Sequence, residues 1–405
     1  MATSNGSKPA QTAQGPLVGL RVIDFGQLIA GPMSATFLAD WGADVVKVEP
    51  PGEGDSLRRL APHKDGVPLW WKVNGRNKRA ISLNLKDEAD RDTFYELVKV
   101  ADVCIENYSV GTVADLGVDY QTLKQINPGI IMLSTSGFGQ TGPYAHKRAF
   151  GRVAEAFSGM AYITGYADRP PVHAGVPVAD CVGGVLGCAA ILAAVFERAA
   201  NPKHEGQHID LALYETPFRL MEFLAIAYDQ LGLVTERGGE KTSYVAPVGT
   251  WLTKDEKYAS FTGSTQEMVV RLYDAIGRPD LKTDERFAVN TARVANRGAL
   301  DDIISTWIRE HTLAEVLDTF DKYGVAIAPY LSIADIFENE QYAARESIIT
   351  VDDDELGPVR MQNVVPRFGR TPGKVRHTGR AKVGADQADV LADWLAGDRT
   401  VTAQH

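Results

Sequence analysis

The most suggestive local feature of this chain is Ala174-Gly-Val-Pro-Val-Ala-Asp-Cys-Val-Gly-Gly184, where one carboxylate, Asp180, stands between a Gly/Pro-containing loop and a small-residue run that reads as a long helix. Two roles fit that position. An Asp there can cap the helix by accepting its exposed N–H groups, a contribution of about 0.5–2 kcal/mol. It can equally act as a nucleophile, because a carboxylate forms covalent acyl intermediates and splits one difficult transfer into easier steps. Gly183, Gly184, Gly187, Ala189 and Ala190 then leave room for a bulky ligand or let helices pack closely, and both can hold together.

Cations and polar turns supply further candidates. Asn77-Lys78-Arg79, with Lys147-Arg148 and Arg152 later in the chain, forms clusters of the kind that hold phosphates near strand-to-helix loops, or else a solvated surface. In Phe261-Thr-Gly-Ser-Thr-Gln266, Gly263 allows unusual backbone angles, and its neighbours offer N–H and hydroxyl donors for a developing oxyanion; a surface hairpin is the alternative. His204 and His208 are the closest histidine pair, but Gly206 between them weakens helical metal geometry, so no metal site is expected. Cys104, Cys181 and Cys188 make no CxxC pair and no disulfide framework, which fits a reducing cytoplasm.

The elements that must position these groups read as α/β. Leu20–Phe25 and Asp44–Glu49 are strands around a helix at Pro32–Trp41, a unit of the length a parallel crossover needs. Strands at Ala80–Leu85, Asp102–Glu106 and Ile130–Ser136 and a helix at Asp87–Val100 continue the alternation, which favours a doubly wound sheet. Gly26-Gln-Leu-Ile-Ala-Gly31 is not GxGxxG and no Walker loop occurs, so a dehydrogenase or NTPase loses its main support. The division expected is a tail at 1–15, a large Rossmann-like domain at 16–223, a smaller α+β domain at 224–331 and a C-terminal segment at 332–405. The small domain carries an antiparallel pair within Trp251–Thr262 and helices at Gln266–Ile276, Leu300–His311 and Leu313–Tyr323; a last helix lies near Ala385–Leu395.

Composition bounds the partners. With 42 basic against 52 acidic residues and a net charge of −10, the 405-residue chain is unsuited to general nucleic-acid binding. Its length predicts two or three domains of roughly 150 residues. The apolar run Cys181–Phe196 falls short of the ~20 residues of a membrane span, so no membrane partner is expected.

Many ordered blocks together resemble the class III, formyl-CoA transferase-like, CoA-transferase family. They include Pro16-Leu-Val-Gly-Leu-Arg-Val-Ile-Asp-Phe25, Ala30-Gly-Pro32, Leu38-Ala-Asp-Trp-Gly-Ala-Asp-Val-Val-Lys-Val-Glu49, Gly54-Asp55 and Asn77-Lys-Arg79. Ala101-Asp-Val-Cys-Ile-Glu-Asn107, Gly137-Phe-Gly-Gln-Thr-Gly-Pro143, Gly206-Gln-His-Ile-Asp210, Leu356-Gly-Pro-Val359 and Arg370-Thr-Pro-Gly373 extend the resemblance over nearly everything after residue 15. It implies that Asp180 is acylated by an acyl-CoA. It also implies CoA contacts at Ile29, Ala30, Asn77, Lys78, Arg79, Asn107 and Tyr108, with Lys147 as a further cation, and a shielding loop at Thr262–Gln266 that carries fewer glycines here. No permanent cofactor is implied; CoA is a substrate. The implied assembly is an interlocked homodimer, with a homologous partner chain as an alternative.

Within the family the chain looks most like the branch handling C4 and C5 dicarboxylates, with succinyl-CoA as donor and malate or citramalate as acceptor. Arg148, Arg152 or His173 then supplies the cation for the distal carboxylate, unless it pairs with CoA phosphate or an internal acid. Rival activities are formyl-CoA:oxalate-type transfer, carnitine-type transfer, intramolecular CoA migration of the mesaconyl-CoA type, and a non-catalytic CoA-binding subunit. The family's 2-methylacyl-CoA racemases use a His and Asp pair for proton transfer, and the His position falls here on Phe150, which cannot move a proton.

Overall fold

The computed structural model describes residues 14–240 and 244–396. They form two compact units: one comprises residues up to Met160, His173–Leu233 and the chain from Ala344 onward, the other Ala161–Val172 and Val234–Ala343.

The first unit is built on a six-stranded sheet. In chain order its main elements are β1 (Arg21–Asp24), α1 (Ala30–Asp40), β2 (Asp44–Glu49), β3 (Lys78–Ser82), α2 (Glu88–Val100), β4 (Val103–Glu106), β5 (Ile131–Ser136), α3 (Gly151–Phe157), α4 (Val178–Ala200), β6 (His208–Ala212) and α5 (Leu224–Leu231). The strand order is β3-β2-β1-β4-β5-β6, and every pairing is parallel. Because successive side chains on a strand point to opposite faces, neighbours in sequence enter different cores. Val22, Val45, Val103 and Ile131 pack with Ala35, Leu38, Cys188 and Ile191 of α1 and α4. Ile23, Val46, Cys104 and Met132 pack with Phe94, Leu97 and Val98 of α2 and with Trp394 of the C-terminal helix Gln387–Leu395. Helices on both faces are what near-continuous apolar strands demand.

The second unit is α+β. Strands Val248–Leu252, Tyr258–Thr262 and Ile327–Pro329 form an antiparallel sheet, and helices Gln266–Ala275, Arg297–Arg309 and Leu313–Lys322 close a core around Phe261, Leu272, Ile304 and Phe320.

Several elements differ from the sequence expectation. The contact-defined units do not share the bounds 224 and 331: Ala161–Val172 joins the second unit, where Gly239 N–H donates to Gly165 O at 2.8 Å and Arg237 Nη1 to Tyr162 O at 2.8 Å. These are long-range bonds that local pattern does not reveal. Most of the expected tail, residues 1–13, lies outside the described residues, but Gly15 packs on Trp41 and Gly42. Strand β6 was not anticipated, although His-Ile-Asp-Leu-Ala carries a period-two alternation. Strand β3 begins two residues earlier than expected, so Lys78 and Arg79 sit in the sheet, not in a loop. Helix α4 runs for 23 residues, long and apolar enough to cross a membrane by length and composition. Its glycine face nevertheless packs on α1.

Candidate functional site

A doubly wound sheet binds ligands where its strand order reverses, in the crevice beyond the carboxyl ends of the strands. Here the reversal falls between β1 and β4, and the loops leaving those strands are Gly26–Ile29 and Asn107–Tyr108. The structure joins them: Asn107 Oδ1 accepts Gln27 N–H and Asn107 Nδ2 donates to Gln27 O, both at 2.7 Å. Leu28 adopts a left-handed φ of +63°, a conformation costing a non-glycine residue of order 1–3 kcal/mol. It is held there by Asp55 Oδ1, which accepts its N–H at 2.9 Å, and by Asn74 Nδ2, which donates to its carbonyl at 2.7 Å. Gly26 is pinned by Asp24 and by the Lys47 ammonium. The loop that delivers Ile29 and Ala30 to the mouth of α1 is therefore rigid before any ligand arrives.

Beneath it lies a buried charge network. Lys47, fully buried, meets Asp55 Oδ2 at 2.9 Å and Asp24 Oδ1 at 3.4 Å. Burial alone would push its pKa down, but Asp24, Asp55 and Glu49 outweigh it and hold it above the ordinary lysine value. Lys78 reaches Asp24 Oδ2 at 2.9 Å and Pro32 O at 2.6 Å.

Asn77 and Arg79, expected with Lys78 to touch CoA, have partners inside the protein as well. Asn77 Nδ2 donates to Asp40 at 2.8 Å and to Lys374 O at 3.0 Å, and its Oδ1 accepts Arg376 N–H. Arg79 pairs with Asp44 and Asp393. Internal partners hold all three side chains, and those of Asn77 and Arg79 tie the returning C-terminal segment to the sheet.

One buried acid at the same strand end predicts a pH response. Glu106, at the end of β4, accepts Tyr108 N–H at 2.7 Å, and burial pushes its pKa up to about 7. A carboxyl raised in the folded state contributes stability below its unfolded pKa of 4.5 and loses it as pH rises through about 7. Glu106→Gln should therefore raise the thermal midpoint at pH 8 and change it little at pH 5, a difference of about 3 kcal/mol followed by thermal melts.

Asp180 occupies the first turn of α4, after Pro177 at the cap position, and makes no capping bond. The capping role is thereby corrected. Its helix is placed by close packing: β-carbons added at Gly184 and Gly187 would meet Met33 Cβ at 2.8 Å and Ser34 Oγ at 2.5 Å, and Ser34 Oγ donates to Gly184 O at 3.0 Å. Gly184 and Gly187 thus serve the helix contact. At the end of that contact Ala30, Ala154, Ala179 and Leu213 form one buried cluster, which brings the mouth of α1, α3 and Asp180 together.

Helix α3 completes the surroundings. Gly151 lies so near that a β-carbon there would stand 2.0 Å from Asp180 Oδ2. One turn on, Glu155 is 2% exposed; its Oε2 meets His173 Nδ1 at 2.8 Å, and its Oε1 has no hydrogen-bond partner among the described residues. Leaving a buried acceptor unmatched costs roughly 1–3 kcal/mol, more when charged. Burial first, then the Glu155 charge, pushes Asp180 up to about 6. The result is a half-buried carboxylate without a hydrogen bond among the described residues, ionised at neutral pH and more basic than usual, as a nucleophile should be. Burial, then Asp180 and Glu155, pushes the neighbouring Cys181 thiol up, which disfavours a thiolate there.

The other expected residues are distributed as follows. Arg148 and Arg152 are exposed and make no ion pair among the described residues. Lys147 sits over the Tyr144 ring at 3.5 Å. His173 pairs with an internal acid, Glu155. Phe150, 69% exposed, is the residue immediately before α3. Gly263, in the second unit, has no positive φ; its N–H donates to Pro247 O at 2.8 Å, and a β-carbon there would crowd Val269 at 2.8 Å. It is a packing glycine between strand and helix rather than a hairpin turn. Sequence reasoning missed Gly151 and Glu155, whose only signal was their i,i+4 spacing on one helix face.

Comparison with known proteins agrees with this architecture. The model of CoA-transferase family III matches residues 17–387. A succinyl-CoA:D-citramalate CoA-transferase of Chloroflexus aurantiacus is 37% identical over 94% of each chain. The beta subunit of that organism's succinyl-CoA:L-malate CoA-transferase is 38% identical, again over 94% of each. A crystal structure of a CAIB/BAIF family protein from Brucella suis superposes with a TM-score of 0.82 at 33% identity, covering 94% of this chain and 100% of that one. The six-stranded parallel sheet, the switch-point loops and the match over nearly the whole chain make this protein a member of CoA-transferase family III, an enzyme that transfers coenzyme A.

Proposed function

We propose that the enzyme moves CoA from succinyl-CoA to a C4 or C5 dicarboxylic acid such as malate or citramalate, through covalent intermediates on Asp180. The observation that carries this is the Asp180 carboxylate, half-buried and without a hydrogen bond among the described residues, beside the switch-point loop, in a chain similar over 94% of its length to transferases named for those acids.

The chemistry closes without a cofactor. Asp180 attacks the thioester carbonyl; the C–S bond breaks and its electron pair leaves on the CoA thiolate, giving a mixed anhydride. The thiolate attacks the Asp180 carbonyl, releasing the donor acid and leaving an aspartyl-CoA thioester. The acceptor carboxylate attacks that thioester, expelling thiolate and forming a second anhydride. Thiolate then attacks the acceptor's acyl carbon, which yields the new acyl-CoA and restores Asp180. Ile29, Ala30, Asn107 and Tyr108 line the path for CoA, and Lys147 meets its phosphates. Arg148, just before α3, and Arg152, in its first turn, are exposed cations that receive the distal carboxylate of the acid.

Residues 218–233 support a dimer. None of α5 is buried, and Phe218, Ile226, Tyr228 and Leu231 are 48–77% exposed. An exposed apolar stretch of this kind calls for a partner surface, and a second copy of the chain, interlocked with the first, is the partner proposed. Three free cysteines suit a reducing cytoplasm.

The test is mass spectrometry after incubation with a panel of acyl-CoA donors, with hydroxylamine or borohydride trapping. An adduct on Asp180 whose mass matches succinyl or CoA is the expected result; no adduct on Asp180 refutes the mechanism. Labelled free acid separates the transfer modes, because label that never enters the CoA ester rules out intermolecular transfer.

A further inference from the structure

The pair Glu155–His173 is explained neither by the fold nor by the transfer steps above. Glu155 is 2% exposed, one helical turn beyond the glycine that touches Asp180, and so lies on the face of α3 that meets α4. A carboxylate kept for packing alone would fill both oxygens with donors or face a lysine or arginine. Instead Oε2 is held by an imidazole at 2.8 Å, and the buried Oε1 has no hydrogen-bond partner among the described residues.

We infer that Glu155, fixed by His173, is a positioning residue that acts on Asp180 through its charge: it disfavours the free carboxylate relative to the neutral anhydride and thioester that replace it, and so drives acylation. The inference rests on the proposal that Asp180 is the acylated residue. Two like charges in one partly desolvated site repel. When Asp180 attacks the thioester and the electron pair departs on sulfur, Asp180 loses its charge and that repulsion ends. His173 holds the Glu155 side chain in place.

The groups bearing on Asp180 agree with this. Glu155 is the charge that acts on it, from α3; His173, on the segment before α4, acts on Glu155; Cys181, next along α4, is kept a neutral thiol. Arg152 on α3, and Glu215 and Arg219 on the helix Glu215–Leu220 that also packs on α4, are exposed to solvent.

The experiment compares wild type, Glu155→Gln and Glu155→Asp as intact protein, following kcat/KM against pH and the single-turnover rate of Asp180 adduct formation. Glu155→Gln is expected to keep the adduct on Asp180 but form it about tenfold more slowly, and to move the acid limb of kcat/KM down by about half a pH unit or more. Glu155→Asp, which keeps the charge, should restore the limb to its wild-type position. An unmoved limb in Glu155→Gln, with activity lost only through KM or thermal stability, overturns the inference while leaving the Asp180 mechanism standing. Absence of any Asp180 adduct in wild type overturns both. If Glu155→Gln does not fold, His173→Leu carries the test: with the partner at Oε2 removed, Glu155 is no longer fixed beside Asp180, so adduct formation should slow about as in Glu155→Gln; adduct formation at the wild-type rate overturns the inference.

Discussion

Asp180→Ala is expected to bind CoA with little change and to lose transfer by about 10⁴-fold or more, because removing the proposed nucleophile closes the covalent route. Calorimetric titration with CoA and a transfer assay with labelled acid check the two halves separately. Wild-type turnover in the variant would refute the covalent route. The fold should tolerate the change: Asp180 makes no capping bond, and its pKa is pushed up to about 6 in the folded chain. The sign follows from linkage. A carboxyl raised on folding costs stability as pH climbs through that value, so Asp180→Asn should melt at a higher temperature than wild type at pH 8 and at nearly the same temperature at pH 4. Loss of activity together with gain of stability marks a residue maintained for chemistry.

The second large effect is expected at a residue with no side chain. Gly151→Ala places a methyl group where Asp180 Oδ2 now lies, 2.0 Å from the carboxylate oxygen. Carbon and oxygen do not approach so closely, so something must move, and the rotatable end is the Asp180 carboxylate. Displacing a reacting group by about 1 Å costs on the order of 10²-fold in rate. The methyl itself suits a helix, since alanine is a better helix former than glycine. Turnover should therefore fall about a hundredfold while the thermal midpoint holds or rises; a variant as active as wild type would mean that Asp180 works from another rotamer. Phe150→Ala offers a control one residue away, where a 69% exposed side chain contributes little to the carboxylate's position.

Much of the sheet was legible because strands buried on both faces need apolar cores, and Val22-Ile23 in β1, Val45-Val46 in β2, Val103-Cys104-Ile105 in β4 and Ile131-Met132-Leu133 in β5 supply them. β6 was not, because an edge strand with half-exposed His208 and Asp210 mixes polar and apolar residues. Asp180 stood out by local context, but its chemistry depends on neighbours distant in sequence. Glu155 and Gly151 reach it only because α3 packs across α4, and nothing in Gly-Arg-Val-Ala-Glu announces that.

The cations show the limit most plainly. Asn77-Lys78-Arg79 reads as a basic cluster for phosphate, yet the fold sets Lys78 on Asp24, Arg79 on Asp44 and Asn77 on Asp40. Composition alone cannot show which basic residues face an acid inside the protein and which remain free.

By itself, then, the sequence determined the alternation of strands and helices, the isolated acidic residue ahead of a small-residue helix, and the ordered blocks of a CoA-transferase; these are written in side-chain polarity and spacing along the chain. Only the tertiary structure decided which carboxylate has no hydrogen bond among the described residues, which lysines are neutralised, and that a glycine and a buried glutamate of another helix lie beside Asp180. The reason is physical: desolvation and Coulomb interaction depend on distance through space, and folding brings together groups that the chain keeps apart.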